Sequence, residues 1–148
     1  MTVQPDKRDA AQTAPERGHG LASRPVLKRA EAEREPGAHV AVTVRLRIGR
    51  QNYDGQSEGV GLETMELRLA AEATMNAIHI AIGTERFQLV GIKRMHAFDA
   101  DVILVALRDR RADGQRYIGA VPVRSTLVHG AAAAVLDATN RILTAAAE

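Results

Sequence analysis

The residues whose types and spacing suggest chemistry fall into a few groups. His96-Ala97-Phe98-Asp99-Ala100-Asp101 sets one imidazole and two carboxylates within a short run, which are ligand types for a divalent ion. The run sits at a strand-to-strand turn, where alternate side chains point to opposite faces and Asp favours the turn without any metal. No metal site is expected from it. Ser57, Ser125, His129 and Asp137 supply the residue types of a hydrolase. Neither serine stands in a nucleophile elbow, and His129 and Asp137 span one helix the wrong way for a proton relay.

Gly59-Val60-Gly61 follows a strand and opens a helix, as a phosphate loop does. Thr64 occupies the place of the third glycine of the dinucleotide pattern, and no Walker loop is present. Two readings stay open. These glycines permit the turn, or the N–H groups at this helix start, and at the start after Ser125, hold a small carboxylate. Arg108, Arg110, Arg111 and Arg116 form the densest positive group, but Asp109 and Asp113 are interleaved with them, as at a solvated hairpin tip. The residues therefore predict a protein that is not an enzyme and needs no cofactor.

Composition narrows the field further. The chain has 148 residues, enough for a substantial core, and is 45% hydrophobic and 26% charged. It has no Trp, and Phe87, Phe98, Tyr53 and Tyr117 are its other large aromatics, so Val, Ile, Leu, Met and Ala must fill the core. The absence of Cys excludes disulfides, thiolate zinc sites and cysteine nucleophiles. The net charge is +2, spread evenly between the first 38 residues and the rest, which gives no clustered footprint for a nucleic acid. No apolar run approaches the roughly 20 residues of a membrane helix, and no signal peptide is evident. A cytoplasmic protein with no membrane partner is expected.

Residues 1–24 carry Pro5, Pro15, Gly18 and Gly20 and few large apolar groups, so they read as a disordered tail in which His19 has no neighbouring ligand. Residues 25–148 read as one domain. Pro25 to Arg34 fits either a hairpin strand or a short solvated helix. The strand is preferred, because Glu35-Pro36-Gly37-Ala38 turns straight into the alternating Val40, Val42, Val44, Leu46 and Ile48. Tyr53 to Gly59 returns as its partner, with Gly55 and Gly59 suggesting a bulge or a close backbone approach.

A helix from Leu62 to Ile82 buries Thr64, Leu67, Ala71, Met75, Ile78 and Ile82. Its opposite stripe of Arg68, Glu72, Asn76 and His79 reads as solvated. The rest of its surface is so apolar that it must be covered on two sides or face a partner. Three further strands follow, with a bulge expected at Gly91. The unbroken Val102 to Leu107 run reads as a strand buried on both faces, central or at an interface. A last helix from Thr126 to Ala146 buries Val128, Ala131, Val135, Ala138 and Ile142.

The fold class is thus α+β. Two pseudo-repeated βββα units form antiparallel sheets with two long helices packed on one side. A shift of 64 positions lays Tyr53 on Tyr117, Gly55 on Gly119, Asn76 on Asn140 and Ile78 on Ile142. Glu58-Gly59-Val60-Gly61 before an Ala-rich helix, then Arg116-Tyr117-Ile118-Gly119-Ala120-Val121 before a helix ending Asp137-Ala138-Thr139-Asn140-Arg141, resembles the C-terminal regulatory domain of 2-isopropylmalate and citramalate synthases. The resemblance spans residues 26–146. It implies two strand-rich units each carrying a helix, dimerisation, and a feedback amino acid bound near the two strand-to-helix turns. Gly59, Val60, Gly61, Leu62, Ser125 and Thr126 would then line the ligand. The chain departs from that family in having no catalytic barrel, and in Leu62 where the family commonly has Pro.

The expected function is therefore a non-enzymatic, small-molecule-binding or regulatory module that forms a homodimer and takes a small carboxylate or amino acid. Two alternatives remain. Residues 62–146 run helix, three strands, helix, the order of a double-stranded RNA-binding domain, though the final helix opens with Arg124 as its sole cation before His129. A protein-interaction or assembly domain is the other.

Overall fold

The computed structural model describes residues 21, 23–111 and 113–145. Among these, the chain forms strands β1 (Val26–Glu35), β2 (His39–Ile48) and β3 (Gln51–Val60), then helix α1 (Glu63–Ile82). Strands β4 (Phe87–Ala97), β5 (Ala100–Asp109) and β6 (Arg116–Pro122) follow, then helix α2 (Leu127–Ala145). Each trio is an antiparallel three-stranded sheet with its middle strand central. The preferred hairpin partner is therefore a strand, β1, paired along β2 with one irregularity between Leu27 and Arg29. The tail expected over 1–24 lies largely outside the described residues. Leu21 is buried, and its N–H donates to the carbonyl of Leu143 at 3.0 Å, so the packed structure reaches back at least to Leu21.

The alternation in β2 does what its period requires: Val40, Val42, Val44 and Leu46 are fully buried against the helices, while the intervening side chains face outward. In β5 the inward set is Ile103, Val105, Leu107 and Asp109. Val102, Leu104 and Ala106 lie on the opposite face and are half-buried, so the run expected to be covered on both sides is covered on one. The bulge expected at Gly91 is present, as a register shift between Leu89 and Gly91.

Both helices touch both sheets. Helix α1 lies on β2 and β3 and reaches β4; helix α2 lies on β5 and β6 and reaches β1; and the helices pack on each other. This explains their composition. Leu67, Leu69, Ala70, Ala71, Ala73, Met75, Ala77 and Ile78 of α1 are buried, a breadth that one supporting surface would not demand. Small residues let the backbones approach. A Cβ built on Gly55 would stand 1.9 Å from the Ala73 carbonyl oxygen, and one on Gly119 would stand 2.1 Å from that of Ala134.

These contacts correct the repeat. Val44 faces Gly55 across the sheet and Val105 faces Gly119. The spacing is 61 residues from Val44 to Val105 and from Ala73 to Ala134, but 64 from Gly55 to Gly119. The β5–β6 hairpin is longer by three residues and the β6–α2 connection shorter by three. Asn76 therefore corresponds to Asp137, not Asn140. Asn76 donates its amide to the Gln56 carbonyl at 2.8 Å, and Asp137 accepts the Ala120 N–H at 3.0 Å, so each ties its helix to the third strand of its unit. His79 corresponds to Asn140. The His79 ring accepts the N–H of Phe87 at the head of β4, and the Asn140 amide reaches the Pro25 carbonyl at the head of β1.

Candidate functional site

A cleft of about 650 Å3 lies between β1 and the starts of the two helices. Ala30, Glu31, Ala32 and Arg34 of β1 form one wall, Glu66 of α1 another, and Thr126, Leu127 and Val128 the third. The β1–β2 hairpin holds Arg34 at the end of its strand, opposite Val40. Glu66, in the first turn of α1, forms an ion pair with Arg34; its side chain is 12% exposed and that of Arg34 is 56% exposed. Ala30 and Ala32 alternate with Glu31 and Glu33, so β1 turns its small apolar side chains inward. An anion, a cation and an apolar surface thus share one cleft.

The two helix starts differ. In α1 the N–H groups of Met65 and Glu66 both turn back to the Leu62 carbonyl, and Glu63 and Glu66 place carboxylates in the first turn. In α2 the Thr126 hydroxyl accepts the N–H of His129 at 3.0 Å and no acidic residue stands in the first turn. The positive end of the α2 dipole is left without a carboxylate of its own.

Of the residues the sequence singles out, Thr126 lines this cleft and Ser125 is exposed beside it at the mouth of α2. Gly59 and Val60 end β3, Gly61 and Leu62 connect it to α1, and none of the four is among the cleft walls. Gly61 donates to the Ala38 carbonyl at 3.2 Å and has φ +155°, and a Cβ there would meet the Met65 Cβ at 2.8 Å. That glycine is required by packing. Val60 and Leu62 are 62% and 77% exposed. The sequence does not single out Arg34 and Glu66. They come together through the β1–β2 return and the first turn of α1, and neither has a motif around it.

A second, narrower groove of about 320 Å3 runs along the polar stripe of α1, walled by Ser57, Arg68, Glu72, Asn76, His79 and Gln88 among others. The Ser57 hydroxyl donates to Glu72 at 3.1 Å, and Arg68 also pairs with Glu72. His79 departs from the expected solvated residue. Its ring stacks on Phe87 at 6.2 Å between centroids, and its Nε2 accepts the Phe87 N–H at 3.0 Å. Burial lowers its pKa, opposed by Glu85 and reinforced by Arg110. The stripe is half-covered because β4 of the other unit returns beside it.

Several of the remaining candidates have partners that account for them. Ser57 bonds Glu72 and Asp137 holds the Ala120 N–H, so both side chains are engaged with groups other than His129. Asp101 accepts Arg94 at 3.0 Å and faces His96 at 3.4 Å; the hydrogen bonds from Arg94 and His96 hold its carboxyl below the usual range. Among the described residues, no three His, Cys, Asp or Glu side chains converge as metal ligands. No helix among them is long and apolar enough to cross a membrane. Compared with family models and with curated proteins, the chain matches none.

Proposed function

We propose that this protein is a non-catalytic regulatory module that binds an apolar α-amino acid in the cleft between β1 and the two helix starts. The observation that carries this reading is the Arg34–Glu66 pair, open to a cleft whose remaining walls include Ala30, Ala32, Leu127 and Val128. A zwitterion inserts between the two partners. Its carboxylate takes Arg34 and the free positive end of α2, its ammonium takes Glu66, and its side chain covers the alanines and Val128. Arg34 is more than half exposed, so its guanidinium can swing aside from the largely covered Glu66 to admit the ligand. The cleft joins the apolar Ala30, Ala32, Leu127 and Val128 to a few convergent polar groups, the make-up of a small-molecule site.

The regulatory part of the reading rests on where the cleft lies. Its walls come from β1 and α1 of the first unit and from α2 of the second. A ligand there bridges the two units, so its binding free energy is available to change how they pack.

Thermal unfolding against a panel of amino acids, 2-keto acids, nucleotides and short RNA duplexes tests the proposal. A ligand that binds only the folded state raises the midpoint by mass action. Apolar amino acids are expected to raise it. A shift with RNA alone contradicts the proposal and favours a nucleic-acid module.

A further inference from the structure

The two sheets are built alike, yet their outward faces differ. On the first, Glu33, Thr43, Arg45, Asp54 and Glu58 alternate outward, and Arg45 grips Asp54 through two hydrogen bonds at 2.8 and 3.0 Å. That is the solvated face expected when helices cover only one side. On the second, Val90, Met95, Val102, Leu104, Ala106 and Ile118 form an outward apolar stretch, with Lys93 beside it opposite Leu104 and Gln88, Arg108 and Arg116 at one end. Val90 is 39% exposed, Met95 40% and Ile118 58%. A contiguous apolar sheet face of this kind marks an interaction surface.

Charge on this face is arranged along the strands. Arg108 and Arg116 pair across β5 and β6 at one end. At the other end the β4–β5 turn carries Phe98, fully exposed, and Asp99, with φ of +54° and +61°. Asp tolerates that backbone, but a bulky aromatic rarely adopts it, and nothing in the fold buries the ring. Lys93 stands on the edge strand β4, where its stem can carry the ammonium to the rim.

We propose that this face is a homodimer interface, formed by a second copy packed face to face across a two-fold axis that runs across the strands near Leu104. This goes beyond the ligand cleft, which is walled by other elements. With the axis across the strands, the Phe98–Asp99 turn of each copy lies over the Arg108–Arg116 end of its partner, pairing opposite charges twice and seating Phe98 against guanidinium groups, while Lys93, level with Leu104, meets its own counterpart near the axis and turns its ammonium out to the rim. An axis along the strands would instead set the arginine ends together. Strands of eleven, ten and seven residues span at most roughly 14 by 33 Å, so with side-chain relief and the two turns the contact falls at the small end of specific interfaces. A two-fold contact closes on itself, which an apolar face meeting the polar face of the next copy would not.

The test is the mass of the full chain in solution by light scattering and sedimentation, over micromolar to millimolar concentrations. A species of twice 16.0 kDa is expected. Leu104→Arg and Ile118→Glu should give monomers with unchanged circular dichroism. Thr43→Arg, at the matching position of the first sheet, should remain dimeric. Arg108→Glu with Arg116→Glu should weaken the dimer at least about tenfold, and adding Asp99→Arg should recover most of that loss. The monomeric variants should keep their midpoint shift with amino acids, which separates failure of the interface from failure of the cleft. A wild-type monomer throughout the range, a dimer that survives Leu104→Arg, or no recovery on adding Asp99→Arg would overturn the proposal.

Discussion

Gly55 leaves no room for a side chain beside Ala73, since a Cβ there would stand 1.9 Å from the Ala73 carbonyl oxygen, and the equivalent Gly119 stands in the same relation to Ala134 at 2.1 Å. The atoms a new side chain would meet are backbone, which cannot swing aside. Gly55→Ala and Gly119→Ala should each cost about 3 kcal/mol or more, at or above the usual range for overpacking, and lower the melting temperature by roughly 10 °C. A methyl group added at Gly91 would meet nothing within 4 Å, so Gly91→Ala should stay within about 0.5 kcal/mol. Chemical denaturation of the three variants checks the contrast.

Arg86 grips both oxygens of the fully buried Asp109, at 2.8 and 3.1 Å, and the Arg111 N–H adds a third bond at 2.9 Å. Removing one partner strands the other charge in the core. Asp109→Ala or Arg86→Ala should cost about 3–5 kcal/mol, while the double change Arg86→Met with Asp109→Leu should cost less than either. A double-mutant cycle measures this.

The same pair sets an acid dependence. Burial pushes the Asp109 carboxyl up, but hydrogen bonds from Arg86 and the Arg111 N–H, with the charges of both arginines, outweigh it and hold the pKa low. A depressed carboxyl stabilises the fold above its unfolded pKa of about 4, and that stability is lost as the pH falls below it. Unfolding free energy should therefore drop below about pH 4 in the wild type and drop less in the Met–Leu double variant.

His79 gives a separate step near neutrality. Its folded pKa is lowered, chiefly by burial, so the unfolded chain takes up a proton that the folded chain refuses. The contribution is full above the unfolded value of about 6.5 and is lost as the pH falls below it. Urea unfolding at pH 7.5 and 5.5 should show the loss in the wild type, and His79→Gln should flatten it.

Much of this fold is legible in the sequence because its signals are local. The alternation from Val40 to Ile48, the glycine at position 91 and the Asp113-Gly114 turn all state their conformations within a few residues. The helix-repeat register is not legible. The three residues added in the β5–β6 hairpin are removed before α2, so a single shift aligns the third strands and misaligns the helices. His79 reads as solvated in the sequence because its cover, Phe87, belongs to the other unit. The cleft is half legible: Thr126 follows from helix-start chemistry, whereas Arg34 and Glu66 meet only once the hairpin and α1 are in place.

The central claim is that Arg34 and Glu66 divide a zwitterion between them, and calorimetric titration with leucine, its 2-keto acid and its decarboxylated amine tests it most directly. Each analogue lacks one charged contact worth about 1.5–3 kcal/mol, so both should bind roughly ten- to a hundredfold more weakly than leucine. Glu66→Gln should abolish the preference for the amino acid over the keto acid, and Arg34→Met the preference over the amine. Saturable one-to-one binding of leucine with those two losses is the predicted result. No binding at millimolar leucine, or binding indifferent to both substitutions, would contradict it.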